Sequence, residues 1–90
     1  MNKNEIRVME KHFPNENDQS KAIWYIRSAK AAAAKMGRLP TKDRIWDQYC
    51  HSAVIWGVRE VLEKHRMERY IPMLRELGLI AGPDHDLHHM

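Results

Sequence analysis

The residues able to do chemistry are few, and most of them crowd the end of the chain. Asp84, His85, Asp86, His88 and His89 stand together in "DHDLHHM". Imidazoles and carboxylates at this spacing can hold a transition metal. The run follows Gly82 and Pro83 directly, with no further donors to orient the ligands. No structural or catalytic metal is expected there, and no cofactor elsewhere. Asp47 and His51 are four residues apart, the spacing at which two helical side chains meet, but no nucleophile shares their face. Cys50 precedes His51, yet neighbours on a helix point roughly 100° apart and make no dyad. Cys50 reads as an inert core thiol. Glu60 and Glu63 with Lys64 read as a solvated face. The chain carries no P-loop and no serine elbow. It is expected to be non-enzymatic.

The elements that position these residues follow from the punctuation. "FPNEND" is a turn built on Pro14. In "MGRLPTKD", Gly37 suits the position after a helix, Pro40 cannot continue one, and Thr41 can cap the next. "GLIAGPD" is the third break. No alternating pattern of strand length lies between them. The sequence therefore predicts an all-α bundle of about four helices, over 3–12, 18–36, 42–65 and 67–77, as one domain over 1–81. A frayed, flexible His/Asp-rich tail over 82–90 follows.

On a helical wheel, Ala22, Tyr25, Ile26, Ala29, Ala33 and Met36 share one face of the second helix. Trp24 falls on the other side, beside Lys21, Ser28, Ala31 and Lys35. It reads either as packing on a second neighbour or as an anchor for a partner. The third helix begins with an apolar face of Ile45, Trp46, Tyr49, Cys50, Ala53 and Trp56. Its middle, "AVIWGV", is apolar nearly all round, and Ile55, Val58 and Leu62 form a second face. Such a helix is surrounded by others, so 42–65 reads as the long central helix. Gly57 within it marks either a close contact or a kink. A face left uncovered within the chain would meet a second copy, so a homodimer is a further expectation. Pro72 splits the last helix: "ERYI" finishes one turn, "PMLREL" starts another with Pro at its beginning, and Gly78 ends it. Leu74, Leu77 and Ile80 are then core.

The totals narrow the class. Ninety residues make one domain. A hydrophobic fraction of 43% with three Trp argues for a folded core. The single Cys fits a reducing compartment. No apolar run approaches the roughly 20 residues that span a bilayer, and "MNKNEIRVMEKHF" lacks a secretory apolar segment. A cytoplasmic protein without membrane contact is the expectation. The net charge of +3 concentrates in residues 1–40, where eight Lys/Arg face four Asp/Glu. Dedicated nucleic-acid binders are far more densely basic.

Two functional readings result. "HRMERYIPMLRELGLI" resembles the last helix and wing entry of winged helix-turn-helix repressors, and "GRLPTKDRI" and "VREVL" resemble pieces of GntR-type regulators. The resemblance implies a transcriptional regulator that uses residues 65–80, with His65, Arg66, Arg69 and Arg75 reaching DNA and "IAGPDHDLHH" as wing. The chain departs from that pattern at Pro72, in the residues between "VREVL" and the last helix, in the length of the third helix and in the acids of the wing. The reading preferred on the residues themselves is a small helical binding protein. It would regulate or inhibit a larger macromolecular partner by protein–protein contact, as small phage- or plasmid-encoded inhibitors do. Trp24, Lys21, Lys35, Ile55, Val58, Arg66, Arg69 and Arg75 are its expected contact residues.

Overall fold

The computed structural model describes residues 1–57 and 62–82. It is all-α: α1 Lys3–His12, α2 Glu16–Met36, α3 Lys42–Ile55, a 3₁₀ segment Lys64–Tyr70, and α4 Ile71–Glu76. No strand occurs among the described residues. The "DHDLHHM" run, Val58 and most of the expected wing lie outside them.

Each start has a local cause. Asn2 and Glu5 form a capping box at α1, with the Glu5 N–H donating to Asn2 Oδ1 at 2.8 Å and the Asn2 N–H to Glu5 Oε1 at 3.1 Å. This satisfies helix donors that otherwise have no partner. Asn15 caps α2 by accepting from the Asn17 N–H at 2.8 Å. Thr41 caps α3. At the other end of α2, Gly37 takes φ +70°, which a side chain resists.

The longest helix is α2, not the third helix expected over 42–65. The third helix stops at Ile55. Trp56 donates its N–H to the Ser52 carbonyl, the Gly57 N–H turns back to Val54, and Gly57 sits at φ +71°. Gly57 is thus neither a kink nor a close-packing site but the stop itself. A Cβ there would meet nothing within 4 Å, so the backbone conformation alone selects glycine. The central role passes to α2, which packs along α3 and also against α1. Its buried side is Ala22, Tyr25, Ile26, Ser28, Ala29 and Ala32. Ala33 and Met36 are only half-buried, while Ser28, expected beside Trp24 on the outer side, is buried. The expected face therefore rotates slightly, because two helices rather than one cover it.

Helix α4 packs against the 3₁₀ segment and α1. Pro72 lies in the first turn of α4, where its missing N–H costs nothing. Gly78 at φ +69° ends that helix, and the Leu79 N–H reaches back to the Leu74 carbonyl. Ile80 then folds into the core with Leu74, while Leu77 is half-buried. The Ala81 N–H donates to the Pro40 carbonyl at 2.8 Å, which ties this end to the α2–α3 loop. Lys11 and His12 of α1 both pair with Glu76 of α4.

Candidate functional site

Five aromatic rings from four parts of the chain form one stack at the centre. Tyr25 of α2 lies between Tyr49 of α3, at 4.2 Å and nearly parallel, and Tyr70 of the 3₁₀ segment, at 4.6 Å. Trp46 extends the row beyond Tyr49, and Phe13 extends it beyond Tyr70 at 4.8 Å. Offset stacking of this kind adds to the value of the buried area itself. Burial, with Tyr49 and Tyr70 as neighbours, pushes the Tyr25 phenol well above its ordinary pKa. Its O–H therefore stays protonated.

The tyrosines floor a cleft of about 280 Å³ between α2, α3 and the 3₁₀ segment. Its rim carries Lys21 from α2 and Arg66 and Arg69 from the 3₁₀ segment. These three cations, up to 48 positions apart in sequence, converge because the 3₁₀ segment crosses the Tyr25 face of α2. Two carboxylates hold the arginines in place. Arg66 Nε pairs with Glu63 at 2.5 Å. Arg69 pairs with Asp18 at 3.3 Å, its guanidinium lying 5.8 Å from the Phe13 ring and 5.7 Å from the Tyr70 ring.

A second hollow, of about 170 Å³, adjoins the first and shares Asn17, Lys21 and Tyr49 with it. Trp24 and Trp56 form its apolar walls, their rings 5.7 Å apart. Arg27 lies 5.8 Å from the Trp24 ring. Trp24 is half-buried: it packs beside Trp56 and lines this surface hollow. At the end of α3, Val54, Ile55 and Trp56 are 77%, 66% and 69% exposed. The sequence placed this stretch inside a ring of helices. An apolar run shows only that water is disfavoured around it, and the described residues do not cover it.

Of the expected contact residues, Lys21, Trp24, Arg66 and Arg69 line these two hollows, and Ile55 precedes Trp56 at their edge. Lys35 is elsewhere, donating to Gln48 at 2.7 Å beside a shallow depression with Asp47 and His51. Arg75 is exposed on α4, and His65 is exposed on the 3₁₀ segment, 3.9 Å from Glu63. The sequence did not single out Trp56, Tyr49 or Tyr70 as parts of a site, nor Phe13 at all. The only signal for Tyr49 and Trp56 was membership of the apolar face of the third helix. Cys50 is half-buried rather than core, and burial together with the Asp47 carboxylate raises its thiol pKa. It is a poor nucleophile at neutral pH. Among the described residues no group of three His, Cys, Asp or Glu could hold a metal, and no helix is long and apolar enough to cross a membrane.

The fold and site define a small helical bundle with a two-part surface hollow, basic at one end and apolar at the other. Comparison of the chain with protein-family models, curated proteins and solved structures found no match.

Proposed function

We propose that this chain is a small non-enzymatic binding module that regulates or inhibits a larger macromolecular partner by protein–protein contact. The observation that carries the reading is the exposure of Val54, Ile55 and Trp56 at the end of α3, beside the half-buried Trp24. Three consecutive large apolar side chains lose water only when something covers them. At about 25 cal/mol per Å² of apolar area removed from water, that patch is worth most to a partner which seats fully on it. Tryptophan and arginine dominate contact energies where they occur at interfaces, and Trp24, Trp56, Arg66 and Arg69 line the two hollows.

The test is capture from a lysate of the source cells by the wild-type chain and by Trp56→Asp, with the native mass of any complex. A partner that binds the wild type and loses its own activity there, but escapes Trp56→Asp, is the expected result. Capture unaffected by Trp56→Asp would sink the proposal.

A further inference from the structure

We propose that the partner element seated on this face is an acidic peptide segment carrying one aromatic or leucine-sized anchor. The anchor fills the hollow between Trp24 and Trp56, and a nearby Asp or Glu carboxylate answers the cluster of Lys21, Arg66 and Arg69. The inference rests on the binding-module reading and names the chemistry of its partner.

Size argues for the anchor. An apolar cavity of about 150 Å³ takes up benzene, and the Trp24–Trp56 hollow measures about 170 Å³. The hollow is open to solvent, and its volume matches one such group. Charge argues for the acid. Among the described residues lining the two hollows, three cations, Lys21, Arg66 and Arg69, stand against two carboxylates, Asp18 and Glu63, and Arg27 lies beside Trp24 at 5.8 Å from its ring. Both arginines retain capacity: Arg66 meets Glu63 through Nε, and Arg69 meets Asp18 through its Nη atoms. A guanidinium has five N–H donors and accepts bidentate carboxylates. Because Lys21, Asn17 and Tyr49 belong to both hollows, anchor and carboxylate can come from neighbouring positions of one segment.

The same face is less suited to a nucleic acid. Asp18 and Glu63 stand among the cations, so the face offers no continuous basic track for the many phosphates of a nucleic-acid chain, whereas a single carboxylate needs only one or two of the cations. A second copy of the chain would bring its own cations against these.

The experiment is selection of random twelve-residue peptides on the full-length chain, repeated on Trp56→Asp and on Lys21→Glu. Circular dichroism confirms that each variant keeps its helix content, and Ile55→Ser replaces Trp56→Asp if that variant unfolds. Enriched peptides are expected to pair Phe, Trp or Leu with adjacent Asp or Glu. A synthetic peptide of that type should lose tenfold or more in affinity on either variant and weaken as salt rises. Enrichment of neutral or basic peptides that still depend on Trp56 overturns the acidic partner and leaves the docking surface standing. No Trp56-dependent enrichment overturns both. Tighter binding of a twelve-nucleotide single strand than of the acidic peptide, or dimerisation of the wild type that Trp56→Asp abolishes, assigns the face to another occupant and overturns the proposal.

Discussion

Glu5 is an acid placed where acids are rarely found. It is 5% exposed, with Lys30 Nζ 2.7 Å from its carboxylate and the Asn2 N–H on its other oxygen. Burial by itself raises a carboxyl pKa. Here the hydrogen bonds from Lys30 and Asn2 and the charge of Lys30 outweigh burial and hold Glu5 below its ordinary 4.5. Because the folded-state pKa is the lower one, this stabilisation is present above the unfolded value and fades as pH falls through the folded one. Glu5→Gln should cost about 1–2 kcal/mol at pH 7. The gap from wild type in urea unfolding should shrink as the buffer is taken from pH 5 to pH 3. A gap independent of pH would mean that Glu5 contributes packing and not charge. At the opposite extreme of exposure, Trp56 contributes little to the fold of the free chain. Trp56→Asp should change stability by no more than about 0.5–1 kcal/mol, whereas Leu74→Ala in the core should cost about 2–5 kcal/mol. Urea midpoints of the two variants check the contrast.

At the scale of the element, the end of α3 decides the architecture. Had that helix run over 42–65, Gly57 would lie in a helix interior, where alanine is the better residue by about 1 kcal/mol. At φ +71°, alanine is instead strained by a similar amount. Gly57→Ala should therefore lower the melting temperature by about 4–8 °C, the shift of about 1 kcal/mol in a domain of this size. A rise in melting temperature would restore the long helix. The 3₁₀ segment matters for the same reason. Arg66 and Arg69 are three apart, a spacing that eclipses in 3₁₀ geometry. They therefore stand one above the other on the cleft rim. Helix α4, six residues long and opened by Pro72, is a lid anchored by Met73 and Leu74.

At the scale of the molecule, the aromatic row holds the pieces in register. Trp46, Tyr49, Tyr25, Tyr70 and Phe13 come from α3, α2, the 3₁₀ segment and the end of α1. Removing a ring from its middle loosens every neighbour at once. Tyr25→Ala should cost at least about 3 kcal/mol and should also weaken any ligand of the cleft, since the cleft floor goes with it. Phe13→Ala, at the outer end of the row, should destabilise the chain and release Arg69 while leaving the Trp24–Trp56 hollow intact. Two-dimensional NMR of the indole N–H groups checks this: the Trp24 and Trp56 signals should hold their positions in Phe13→Ala and shift in Tyr25→Ala.

What the sequence determined by itself is everything whose cause is local. Asn2, Asn15 and Thr41 satisfy free helix donors within three residues, Gly37 and Gly78 supply left-handed turns, and Pro72 fits only the first turn of a helix. Hence the all-α class, the span of α1 and the split at Pro72 were legible. Tertiary structure alone decided the rest. Hydrophobic periodicity reports that a side chain avoids water, not which neighbour excludes it, so "AVIWGV" could not reveal that Val54, Ile55 and Trp56 stay exposed. Nor could spacing show that Lys21, Arg66 and Arg69 meet while Lys35 and Arg75 stand apart. That convergence depends on where the 3₁₀ segment crosses α2, and the crossing is fixed by the stacking of Tyr70 on Tyr25, a contact between residues 45 positions apart.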